Sequence, residues 1–208
     1  YGDADMINFY DEDGVFVVPP AVNNTRAGEQ LGMQAMSLGI NHVIPFSSHH
    51  QYQRSDSIWA NEYTTPIDSY KKGLPSVVNY FPPFVRLNCS DGKYELIEPD
   101  PVPLSIKNCQ EFGDNWSDEL QSSDRQVIDN YFKRKEKIRH DISFINFRVG
   151  GNDNFFKFES NNNKGITFEV PRSSLLQAVN FEIFDDLLIG NFMKTTLHGM
   201  RELYDGDF

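Results

Sequence analysis

The stretch ISFINFRVGGNDNFFKFESNNNKGITFEV occupies residues 142–170, and its reading decides the fold class. Ile142 to Val149 and Phe155 to Glu159 are rich in aromatic and β-branched residues, and Gly150-Gly151-Asn152-Asp153 between them supplies turn chemistry, which predicts a β-hairpin. A third strand, Ile166 to Val170, is predicted after the Asn161-Asn162-Asn163-Lys164-Gly165 turn. Phe144, Phe147, Phe155, Phe156, Phe158 and Phe168 fall on both faces of such a sheet. Helices must then cover one face, and something else the other.

Outward from this sheet, the upstream segment Asp118 to His140 carries Leu120, Val127, Ile128, Tyr131, Phe132 and Ile138 at near-helical spacing, with Ser117 as the expected cap. The cations Lys133, Arg134, Lys135, Lys137 and Arg139 crowd its last turns, where they suit the helix dipole and read as a solvated face. Downstream, Ser173 or Ser174 opens a short helix through Val179, and Asp185 caps a final helix carrying Leu187, Leu188, Phe192 and Met193. His140 and His198 read as helix-end residues.

Residues 73–112 form a proline-rich connector, extended and irregular, with one short edge strand at Lys93 to Ile97. Residues 1–72 alternate strand and helix. Short strands are predicted at Met6 to Tyr10 and Val15 to Val18, around an Asp11-Glu12-Asp13-Gly14 turn. A helix follows from Thr25 to Leu38 with Leu31, Ala35 and Leu38 on one face and Gly39 as its stop, and then a buried strand from His42 to Phe46. Strand, helix, strand is a βαβ unit, whose ligand groups gather at the carboxyl ends of the strands. The division expected is therefore 1–72, 73–112 and 113–208.

Lys plus Arg number 19 against 30 Asp plus Glu, a net charge of −11. That balance argues against nucleic acid, whose binding runs on basic side chains displacing counterions, and against an anionic membrane surface. No apolar run approaches the roughly 20 residues of a membrane span. Two cysteines, Cys89 and Cys109, make no disulfide scaffold and no zinc pattern. Tyr1 opens the chain without a signal-peptide pattern, so a processed or excised piece of a cytoplasmic protein is expected.

Three groups of residues carry possible chemistry. His49 and His50, with Tyr52 and Arg54 just beyond the predicted His42 to Phe46 strand, form the first, although adjacent strand residues point to opposite faces. Asp3 and Asp5, at i and i+2, would share a strand face and suit a metal; a solvated acidic start is the alternative. Glu62 and Tyr63, with Asn61, Trp59 and Asp56, follow in a loop that could line the same cleft. No glycine-rich phosphate loop, Gly-x-Ser-x-Gly elbow or His-Glu-x-x-His motif is present.

The segment Arg26 to Glu62, RAGEQLGMQAMSLGINHVIPFSSHHQYQRSDSIWANE, resembles the last βαβ segment of the metallo-β-lactamase-fold proteins, nearest the UlaG-type lactonase and CMP-N-acetylneuraminate hydroxylase branches. The C-terminal VPRSSLLQAVNFEIFDDLLIGNFM is similar to the extension of longer members. The family's His-x-His-x-Asp-His signature has no match, and Ser47 stands where hydrolase members place their last ligand histidine; the hydroxylase branch also lacks a histidine there.

The resemblance implies an α/β to α+β chain: the C-terminal half of a metallo-β-lactamase-like αββα sandwich plus a small α+β extension. It implies a divalent metal, zinc, manganese or iron, and hydrolysis or iron-dependent oxidation of a small-molecule substrate. Asp3, Asp5 and His49 are the ligand candidates, His49, His50 and Tyr52 the catalytic ones, and Arg54, Glu62 and Tyr63 the substrate-binding ones. An N-terminal segment or a partner chain would complete the domain. The rival expectation, from the aromatic content alone, is a non-catalytic module that binds an apolar ligand or a partner chain.

Overall fold

The computed structural model describes residues 6–17, 27–46, 50–100, 102–160 and 162–200. It is a mixed α/β protein with one mixed sheet, two small two-stranded sheets and several helices. The chain divides into two units. The first comprises Tyr1–Ala4, Pro20–Gln51 and Asn61–Ser105, and the second Asp5–Pro19, Tyr52–Ala60 and Ile106–Phe208.

In the first unit, helix α1 (Ala27–Ser37) buries Gly28, Gly32 and Ala35, a stripe of small residues. A Cβ at Gly28 would stand 2.2 Å from the Lys72 carbonyl oxygen, and one at Gly32 would stand 2.2 Å from Pro75 Cδ. The glycines therefore let the helix lie directly on the 70–75 backbone. Gly39, at φ +67°, ends the helix. Its N–H donates to Met36 O at 3.1 Å and that of Ile40 to Ala35 O at 2.8 Å, which satisfies the last carbonyls. Leu38, predicted to face inward, is 71% exposed, because the inward stripe runs through the glycines instead.

Strand β2 (His42–Val43) pairs in parallel with β3 (Asn79–Tyr80). The strand expected over 42–46 is thus shortened to two residues: Val43 is buried, while Ile44 and Phe46 are exposed. Ala35, Val43 and Val78 form a small core, with Leu31 and Leu74 against it. In the proline-rich stretch, β4 (Val85–Leu87) and β5 (Tyr94–Leu96) make an antiparallel hairpin.

The second unit holds the five-stranded sheet, ordered β1-β9-β8-β6-β7. Its strands are β1 (Phe9–Tyr10), β6 (Phe144–Val149), β7 (Asn152–Lys157), β8 (Gly165–Glu169) and β9 (Lys194–His198). The predicted hairpin and third strand are present, with Phe147 opposite Asn154 and Phe168. Helices α2 (Ser122–Lys133), α3 (Glu136–Asp141), α4 (Arg172–Phe181) and α5 (Phe184–Ile189) contribute to one continuous core on a single sheet face. Ile145, Phe147, Val149, Phe156, Ile166, Phe168 and Leu197 supply the sheet side of that core, and Ile128, Phe132, Leu175 and Val179 the helix side.

Four expectations are corrected here. The predicted 118–140 helix is two helices, broken at Arg134 and Lys135, and α2 starts after Gln121, where Gln121 and Asp124 form a reciprocal cap. The segment Lys194–His198 is a strand and not the tail of a helix: Gly190 ends α5, Asn191 turns at φ +55°, and β-branched Thr195 and Thr196 suit the sheet. Val15–Val18 forms no buried strand among the described residues; Phe16 makes a single bridge to Tyr10, and Val15 is 60% exposed. Among the described residues the βαβ unit is absent as read, since β1 joins β9 in the large sheet and β2 joins β3 in the other unit.

Candidate functional site

The residues expected to do chemistry are distributed unevenly. Asp3, Asp5 and His49 lie outside the described residues. His50, Glu62 and Tyr63 belong to the first unit, and Tyr52 and Arg54 to the second. His50 and Glu62 are exposed, and Tyr63 is half-buried. Among the described residues no group of three or more His, Cys, Asp or Glu side chains is placed to hold a metal ion.

Tyr52 and Arg54 are tied into the second unit by their polar atoms. Tyr52 is buried; its hydroxyl donates to the Ile189 carbonyl at 3.2 Å and accepts from Asn191 Nδ2 at 3.1 Å. Asn191 Oδ1 in turn accepts from the Ile7 and Asn8 amides, so one fully buried asparagine knots three segments together. The Arg54 guanidinium donates from Nε and Nη2 to Asp56 and from Nη1 to Asp114 at 2.7 Å. It also lies over the Phe192 ring, 3.9 Å from the centroid.

Burial alone would raise the Asp56 pKa, but hydrogen bonds from Arg54 and Trp116 outweigh it and hold the carboxyl below the usual range. Asp114, 1% exposed, also accepts from the Ser174 amide and hydroxyl. This is a buried ion-pair network at the start of α4, in which each guanidinium nitrogen of Arg54 donates to a carboxylate of the protein itself. His198 is likewise structural in its contacts, its Nε2 lying 2.9 Å from Thr167 Oγ1 on the sheet face opposite the helices. The Asp11 turn behaves as its composition suggests, with Asp11 Oδ1 accepting from the Asp13 and Val15 amides.

A concavity of the second unit lies elsewhere among the described residues. Between α2–α3, the sheet and α5 is a cavity of about 460 Å³. Ile145, Ile166 and Phe168, from adjacent strands β6 and β8, form its floor, while Tyr131, Phe132, Ile138, Phe184 and Leu188 form its walls. Lys135, Glu182 and Asp185 stand around it as the polar members of the lining. It is half-open and mostly apolar, with Ile145, Ile166 and Phe168 themselves buried at its base and Ile138, Phe184 and Leu188 half-buried at its sides.

The sequence places these residues for physical reasons. Ile145, Ile166 and Phe168 point to the helix face by strand alternation. The break at Arg134 and Lys135 re-aims the chain so that Ile138 closes the wall. Glu182, at φ +59°, turns α4 into α5 and brings Phe184 and Leu188 over the strands. Burial, then the charges of Glu182 and Asp185, push the Tyr131 phenol above its ordinary pKa, so it stays neutral. Phe168 alone of these belongs to the aromatic set behind the apolar-ligand expectation; the other lining residues carry no site signal in the sequence.

No family model, curated protein or solved structure matches this chain.

Proposed function

We propose that the second unit is a non-catalytic binding module for a small apolar ligand. The observation that carries this reading is the apolar cavity above Ile145, Ile166 and Phe168. Burying hydrocarbon there is favourable by roughly 0.8 kcal/mol per methylene. The aromatic surplus of residues 144–168 finds its use on both counts: Phe147 and Phe156 fill the core, and Phe168 is part of the chamber floor.

Titration with a neutral, polarity-sensitive dye such as Nile red tests the proposal. The intact chain is expected to bind one equivalent with enhanced emission. Leu188→Trp, which projects bulk into the cavity from its wall, is expected to weaken binding at least tenfold with an unchanged circular dichroism spectrum. Absence of dye binding to the native chain, or full binding by the folded tryptophan variant, would overturn the proposal. Catalysis through a zinc, manganese or iron ion is the other reading, and it rests on the family resemblance alone, since its ligand candidates lie outside the described residues.

A further inference from the structure

We infer that the ligand is a single-chain amphiphile with an anionic head group, and that the Lys135 ammonium holds that head. The inference rests on the apolar-ligand reading above and adds the chemistry of the head. Three charged side chains line the cavity, Lys135, Glu182 and Asp185, and their situations differ. Glu182 is already paired, its Oε1 accepting from Arg134 Nη1 at 2.6 Å. Asp185 is exposed, so water solvates its charge.

Lys135 is half-buried, and its Nζ lies 4.8 Å from the centroid of the Tyr131 ring. Its neighbours Lys133 and Arg134 have carboxylate partners in Asp129 and Glu182, but among the described residues no carboxylate pairs with Lys135. A cation partly withdrawn from water, resting on an aromatic face at the edge of an apolar chamber, gains most from a counter-charge brought by the ligand. The head would then sit at Lys135 while the hydrocarbon covers the half-buried Ile138, Phe184 and Leu188. An ammonium is a point charge with rotatable donors and accepts a carboxylate or a phosphate alike.

The experiment competes palmitate, hexadecyl phosphate and hexadecanol against Nile red on the intact chain. At least one of the two anions is expected to displace the dye at about tenfold lower concentration than the alcohol, the gain of one charge-assisted contact in a partly dry site. Lys135→Met is expected to erase that advantage while hexadecanol competes as before, and Lys135→Arg to restore it. Asp185→Asn, which removes the one unpaired negative charge of the lining, is expected to widen it. An advantage that survives in Lys135→Met, or equal competition by all three in the native chain, overturns the head-group assignment and leaves the apolar reading standing. Failure of all three to displace the dye overturns both.

Discussion

The two units bury their apolar side chains to different extents, and the difference locates what holds each one. In the second, Phe147 is fully buried and its ring meets those of Phe132, Phe156, Phe168 and Phe184. In the first, Ala35, Val43, Val78 and Phe81 are buried, while Met33, Met36, Leu38, Ile40, Phe46 and Val77 are exposed. Side-chain interdigitation dominates one unit. The other buries fewer side chains, with Phe81 against the His42 and Tyr94 rings, and adds close backbone approach at Gly28 and Gly32.

The most direct way to break this comparison is to remove a core side chain from each unit. Phe147→Ala is expected to cost about 3–5 kcal/mol, since four ring partners lose their contact surface and the cavity left cannot collapse inside a sheet. Val43→Ala in the first unit is expected to cost about 1 kcal/mol. Trp59 and Trp116 both belong to the second unit, so urea unfolding followed by tryptophan fluorescence reads the larger effect, and far-ultraviolet dichroism reads the smaller. Equal losses for the two variants would remove the distinction.

That contrast also explains what the sequence disclosed. The hairpin and third strand at 144–169 were legible because aromatic and β-branched residues alternate around glycine turns. Strand β9 was not, since Lys194-Thr195-Thr196-Leu197-His198 follows a helical pattern and gains its identity only from partners on β8 and β1, far away in sequence. In the first unit the helix and most of its face were visible, since Ala35 is buried and Leu31 packs against that core, but Leu38 is exposed, and Gly28 and Gly32, which no apolar pattern marks, make the closest contacts. The cavity was hidden for a related reason. It needs the break at Lys135 and the left-handed Glu182, which no periodicity announces, to bring Ile138 and Phe184 to the same strands.

A smaller expected effect comes from the charges that fasten helix to helix in the second unit. Asp124 caps α2 through the Gln121 amide and accepts from Arg172 Nε at 2.6 Å, linking α2 to α4. The Arg172 hydrogen bond holds its carboxyl below the ordinary range despite burial. A carboxyl with a lowered folded pKa contributes its full stabilisation above its unfolded value near 3.9, and loses it as the pH falls through the folded value. The urea midpoint of the native chain is therefore expected to drop as the pH falls below about 4. Asp124→Ala is expected to cost about 2 kcal/mol at pH 7 and to flatten part of that acid dependence. An unchanged pH profile in this variant would show that the α2–α4 link does not depend on the ion pair.

The smallest effects sharpen the comparison at its finest scale, because the second unit also contains a turn decided by backbone space. Gly150 and Gly151 close the β6–β7 hairpin at φ +61° and +79°, the two positive angles of a type I′ turn. Hairpin preference alone would place asparagine at the first of them. Here that position is crowded: a Cβ on Gly150 would stand 2.9 Å from the Asp118 carbonyl oxygen and 2.8 Å from Glu119 Cγ, while one on Gly151 meets nothing within 4 Å. Gly151→Ala is thus expected to cost about 1 kcal/mol, the left-handed strain alone, and Gly151→Asn less. Gly150→Ala is expected to cost about 2 kcal/mol, because the 118–119 backbone must also yield. Reversal of this order in equilibrium denaturation would mean that the segment before α2 moves freely away from the turn. The close approach at Gly150 would then not be what fixes it.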